Sequence, residues 1–194
     1  MTYVFREPTL GQTPIAATLP APTTTVNTST VAAGTLGSTR GPAGNSTPGR
    51  LGCIAKAYDP TYGEGEFIYL LGVASTVVGS VVTYNGNTSG KPTWQTALAA
   101  ATANQGAPLA VAMSANVAGQ YGWYQISGNA VVATNGTLAA GPGKVYLAGS
   151  GQVTSTAAAG EEVVNAVNVT ATGTPSAGLA VVEINRPFAQ GAIT

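Results

Sequence analysis

From residue 51 onward the apolar residues come in short runs of roughly four to eight, each closed by Gly, Asn or Pro, and this punctuation constrains the fold more than any other feature. Runs of that length cannot carry the 3.6-residue stripe of an amphipathic helix, but they suit strands joined by tight turns. Candidate strands are 66–73, 81–84, 109–113, 121–127, 130–134, 144–148, 162–170 and 177–184. Asn85-Gly86 and Asn135-Gly136 supply the positive-φ residues of primed turns, and Gly128-Asn129 has the composition of a two-residue hairpin loop between two β-rich runs. Only Thr96-Ala97-Leu98-Ala99-Ala100-Ala101 has a helix-forming composition, and it is short enough to be a single turn or a loop. Closely spaced strands with no intervening helices predict an all-β domain over residues 50–194, an antiparallel β-sandwich, jelly roll or barrel. No fixed-period repeat is visible, which sets solenoids and propellers aside.

Residues 1–49 read differently. They carry Pro8, Pro14, Pro20, Pro22, Pro42 and Pro48 among Thr, Ser, Ala and Gly, which excludes a regular helix or a central strand. This composition predicts an extended N-terminal arm that becomes ordered only against another surface. The one apolar cluster in it, Tyr3, Val4 and Phe5, is expected to anchor the arm on a partner, with Arg6 able to pair with a carboxylate there.

Charged residues make up 7% of the chain, against about 25% in an average soluble domain, and the formal net charge is zero. Hydroxyls, amides and small apolar groups must therefore cover the surface, and little electrostatic repulsion opposes association. Seven scattered basic residues are a poor match for a nucleic-acid backbone, so DNA and RNA are not expected partners. No run approaches the roughly 18 apolar residues of a membrane span, and the opening residues lack the charged and apolar regions of a cleaved signal, so neither membrane insertion nor secretion is expected. Asn-x-Ser/Thr triplets at Asn27, Asn45, Asn87, Asn135 and Asn168 are expected by chance in a chain so rich in Ser and Thr.

Catalytic chemistry has little to work with. The chain contains no histidine, which removes the commonest general base and the imidazole metal ligand. The only compact acidic group is Asp59, Glu64 and Glu66; a carboxylate pair or a hard-cation site is conceivable there, but a solvated strand end or an interface with basic groups is the plainer reading. Gly141-Pro142-Gly143-Lys144 imitates the end of a phosphate loop, yet Val145 stands where Ser or Thr should bind magnesium. In the aromatic run Tyr121-Gly122-Trp123-Tyr124, alternation places Trp123 and Tyr124 on opposite faces, as in a strand covered on both sides. Trp123 and Tyr124 are thus expected in a core or a subunit interface. No catalytic residue, cofactor or metal is expected.

Three segments resemble the head decoration, or capsid cement, proteins of tailed bacteriophages. They are Gly63-Glu64-Gly65-Glu66-Phe67-Ile68-Tyr69-Leu70; Ala110-Val111-Ala112-Met113 followed by Tyr121-Gly122-Trp123-Tyr124-Gln125-Ile126-Ser127-Gly128; and Val182-Glu183-Ile184-Asn185-Arg186-Pro187-Phe188. The resemblance spans about 51–191 and excludes the arm. It implies a β-rich structural protein of the virion, made in the host cytoplasm, that forms a homo-oligomer, a dimer or trimer, on the outer surface of the capsid at contacts between major capsid protein subunits. Such proteins act through extended surfaces, so no functional residues carry over. A tail-fibre or adhesin module shares the β content but should show a repeat or fibrous register; a glycan-degrading enzyme requires two placed carboxylates.

Cys53 is the only cysteine and sits between Leu51 and Ile54, the setting of a small core residue and not of a reactive thiol. Reductant should leave the oligomeric state and the melting temperature unchanged; loss of assembly on reduction would reveal an intermolecular disulfide.

Overall fold

The computed structural model describes residues 3–5, 15, 51–85 and 94–192, and every regular element among them is a β-strand. In chain order these are β1 (Val4–Phe5), β2 (Ile54–Asp59), β3 (Gly63–Leu71), β4 (Val81–Asn85), β5 (Gln95–Leu98), β6 (Leu109–Ala112), β7 (Tyr121–Ala133), β8 (Tyr146–Gly149), β9 (Gln152–Thr154), β10 (Val163–Asn168) and β11 (Leu179–Ala189). Nine form one sheet in the order β1-β2-β3-β5-β4-β6-β7-β11-β10, and β8 and β9 form a separate hairpin. The protein is all-β, as the punctuation predicts. Within the large sheet the strands pair antiparallel except at a parallel contact between Leu71 of β3 and Gln95 of β5, which makes the sheet mixed.

The sheet closes on itself. β3 also pairs with β7, from Leu71 opposite Tyr121 to Glu66 opposite Ser127, so that β3, β5, β4, β6 and β7 form a ring. Alternate residues point into this small barrel, where Ile68, Leu70, Val82, Ala110, Ala112, Tyr124 and Ile126 make one core. Tyr124 lies directly opposite Ala112 on one side and Ile68 on the other, so a small neighbour makes room for the large ring.

Two further cores lie outside the ring. Val81, Leu109 and Val111, on the outward side of β4 and β6, pack with Ala130, Val132, Val182 and Ile184 and with Leu147 and Val153 of the β8–β9 hairpin. On the other flank, Phe67, Tyr69 and Trp123 pack with Ala57 and Met113. The first half of β7 is therefore buried on both faces, Trp123 outside the ring and Tyr124 inside it, as strict alternation requires.

Three local expectations are corrected. Gly128-Asn129 is not a hairpin loop, because β7 runs straight through it: residues before it pair with β3, while residues 127–133 pair with β11. Gly128 has φ +95° and the Glu64 carbonyl lies where a Cβ would project, so both conformation and space call for glycine, and the β3 register shifts between Glu66 and Phe67. Asn135-Gly136 does not fold the chain back either; Gly136 has a positive φ, but Thr134 makes only a parallel bridge with Val153, and the next strand begins at Tyr146. The alanine-rich segment from Thr96 contributes to β5, because its neighbours β4 and β3 supply backbone partners that outweigh a weak helical preference. Gly86 lies outside the described residues.

The loop between β6 and β7 is fixed by Asn116, which is fully buried. A Cβ on Gly72 or Gly122 would land on Asn116, so glycine at the end of β3 and the start of β7 lets the loop close over the ring.

Trp123 is 1% exposed and meets Tyr69 at 5.1 Å and Phe5 at 5.3 Å between ring centroids. Trp123→Ala should cost about 3 to 5 kcal/mol in chemical denaturation; a variant of parental stability would show that this aromatic cluster is not a core.

Candidate functional site

The two ends of the large sheet are treated differently. At β10 the outer backbone is taken up by the segment before β8, with Val163 donating to the Val145 carbonyl at 2.8 Å and Asn168 to that of Gly143 at 2.9 Å. This covers an edge that would otherwise invite pairing with another chain, and it makes Gly143-Lys144 a turn leading into a strand. The other end is β1, which pairs with β2 at Val4 opposite Tyr58 and Phe5 opposite Ala57.

Alternation decides what this edge shows to solvent. Tyr3 and Phe5 point inward: the Tyr3 ring meets Phe67 edge-on at 4.8 Å, and Phe5 meets Trp123 edge-on. The Tyr3 hydroxyl donates to the Asn129 carbonyl at 3.1 Å and accepts from Gln125 Nε2 at 3.4 Å. Ile15 is buried in the same cluster. Val4 points outward and is 65% exposed, in line with Ile54 (48%) and Tyr58 (47%) on β2. These three form an apolar row.

The row exists because β2 lies outside the closed ring. Ile54 is directly opposite Ile68, and the two side chains leave the sheet on the same side. Ile68 is covered by the strands across the barrel, whereas Ile54 has no strand facing it among the described residues.

Charge enters the row at two places: Lys56 stands between Ile54 and Tyr58 and faces Glu66, and Glu64 lies opposite Tyr58. Glu66 accepts from Arg186 at 2.8 Å and lies 3.6 Å from Lys56 Nζ. Both cations are well exposed, so these contacts orient side chains and contribute at most about 1 kcal/mol each. Asp59 points to the opposite face, buried, where its Oδ1 accepts from the backbone N–H groups of Thr61 and Tyr62 and caps the turn between β2 and β3. The acidic group Asp59, Glu64 and Glu66 therefore does not converge, and no cluster of three acidic, Cys or His side chains among the described residues is arranged to hold a metal.

The residues expected at an interface separate into three groups. Tyr3, Trp123 and Tyr124 lie in the chain's own cores, with Phe5 half-buried beside them, because each falls on a covered face of its strand. Val4 is accessible. Arg6, like most of residues 1–49, lies outside the described residues, as do Asn27, Asn45 and Asn87. Asn168 is buried, with its amide on the Ala139 carbonyl, and so is closed to a glycan. Sequence reasoning missed Ile54 and Tyr58. Their signal was the alternation of Ile54, Lys56 and Tyr58 with Ala55 and Ala57, weak because the buried side of β2 carries only small residues.

Burial also shifts the titration of one phenol and one thiol. It pushes the Tyr124 hydroxyl up inside the ring, where Thr96, Asn116 and Thr76 partly offset the shift. Cys53 is half-buried against the aromatic cluster, and burial raises its thiol as well.

No family model, curated protein or solved structure matches this chain. Among the described residues no helix is long and apolar enough to cross a membrane.

Burial pushes Tyr3 up to about 12, with the Gln125 hydrogen bond lowering it and Asp59 and Tyr62 raising it. Between the ordinary value near 10 and about 12 the unfolded chain releases this proton while the folded chain keeps it, so stability is intact below pH 10 and falls as pH rises through that window. Solvent screening keeps the loss below the roughly 2 to 3 kcal/mol that the full shift would carry. Tyr3→Phe should flatten this part of the alkaline slope in urea denaturation; identical slopes for the two proteins would place the Tyr3 hydroxyl in solvent.

Proposed function

We propose that this chain is a structural protein of a virion, of the cement kind, that binds the outside of a tailed-phage capsid as a homo-oligomer and braces contacts between major capsid subunits. The observation that carries this reading is the apolar row Val4, Ile54 and Tyr58 on the outward face of the β1–β2 edge, in a chain with so few charges. A partner that covers such a row gains roughly 25 cal/mol per Å² of apolar surface, and the charges beside it, Lys56 and Arg186 on Glu66, are already paired with one another. Val77 and Val78 in the β3–β4 loop and Val117 in the β6–β7 loop are exposed as well, on two loops joined by the Gly72 N–H to Gln120 carbonyl hydrogen bond. They offer a second uncharged contact.

The mechanism is mass action. A protein that touches several neighbouring subunits binds the assembled shell better than its parts and so shifts the equilibrium toward assembly. Weak contacts repeated over a lattice suffice, because each engaged contact raises the effective concentration of the next. The resemblance to decoration proteins in β3, β6, β7 and β11 supports the same reading.

Val4→Glu and Tyr58→Glu each place a charge at an exposed position, so the melting temperature should stay within a few degrees of the parent. Co-sedimentation with phage particles stripped of their decoration protein should drop at least tenfold in apparent affinity. Unchanged occupancy by both variants would remove this face from the contact, and a parent chain that binds no such particle would overturn the reading.

A further inference from the structure

The slot that receives β1 is built entirely from residues well beyond it in sequence. Phe67 on β3, Trp123 and Gln125 on β7, Ala57 on β2 and the Asn129 carbonyl together take the rings of Tyr3 and Phe5 and the Tyr3 hydroxyl. Ile15 packs into the same cluster. Among the described residues β1 meets β2 over two positions. What is seen of this segment's binding is therefore mostly side chains filling an aromatic slot.

Residues 16–50 separate Ile15 from Leu51, where the described domain resumes. A stretch of that length reaches at most about 120 Å, several times the diameter of a domain of this size. The slot of an adjacent copy is then within reach, as the chain's own is. The contacts are the same in either case, and raising the protein concentration favours the slot of a second copy.

We propose that this slot is a receptor for the N-terminal segment of a second copy, and that exchange of the segment carrying Tyr3, Phe5 and Ile15 joins copies of this chain. The inference deepens the homo-oligomer in the reading above and needs no capsid. The joint places the exposed row Val4, Ile54 and Tyr58 at the seam, with Val4 from one copy and the other two from its partner.

Val4 and Tyr58 are directly opposed and exposed, so a cysteine at each can form a cross-strand disulfide. The test uses full-length chains in which Cys53→Ser removes the native thiol. One chain carries Val4→Cys, and a second, of different size by virtue of a fused tag, carries Tyr58→Cys. The two are mixed without any phage particle, held at a series of protein concentrations and oxidised, and the products are separated without reductant. Strand exchange yields a mixed-size disulfide dimer whose fraction rises with concentration and exceeds that from Val4→Cys mixed with Val77→Cys, which reports random collision at another exposed site. Each single-cysteine chain is first shown to melt as the parent does. A mixed dimer no more abundant than the collision control at every concentration would overturn the proposal and leave capsid binding untouched; exchange without particle binding would leave the proposal standing and remove the capsid.

Discussion

The pairing of β3 with the first half of β7 is the contact on which the other layers depend. It closes the ring, and closure gives each of these strands an inside and an outside that are both covered. Inside, Ile68, Leu70, Tyr124 and Ile126 meet β4 and β6 across the barrel; outside, Phe67, Tyr69 and Trp123 form the aromatic wall. A one-residue slip between these strands would exchange the two sets, putting Trp123 into a space shaped by Ala110 and Ala112. Gly128 and the register shift beside Glu66 end this pairing and hand the rest of β7 to β11, so one long strand serves two cores.

The exposed edge follows from that closure. Once the ring is complete, β2 has β3 on one side and, among the described residues, the two residues of β1 on the other, and it hangs outside the barrel. Its inward positions, Ala55, Ala57 and Asp59, are small or serve the adjoining turn, leaving room for the rings of Tyr3 and Phe5. Its outward positions have no facing layer among the described residues. Apolar exposure at Val4, Ile54 and Tyr58 thus comes from topology and not from loose packing, and among the described residues it is interrupted by Lys56 and Glu66, with Arg186 reaching Glu66 from β11, and by Glu64 beside Tyr58.

A surface with so little charge and with apolar rows at defined places is suited to being covered, which is the physical content of the cement reading. Strand exchange would join copies non-covalently without any new kind of contact, because the same rings fill the same slot. Both ideas place function in extended surfaces, in keeping with carboxylates that cap a turn, as Asp59 does, or pair with cations, as Glu66 and Glu162 do.

By itself the sequence determined the class of fold, since β-branched and aromatic runs such as those of β3, β4, β6, β10 and β11 are bounded by glycine and asparagine and have no helical period. It also determined the uncharged surface. It could not distinguish a hairpin from a bulge at Gly128-Asn129, because both need a residue at positive φ and only the partners of the flanking residues differ. It could not place β5, whose alanines are indifferent until β3 and β4 offer backbone groups. Only the tertiary structure decided that Tyr3 and Phe5 are buried while Ile54 and Tyr58 are not: an alternating strand has two equivalent faces, and which one meets water depends on contacts made by residues more than fifty positions away.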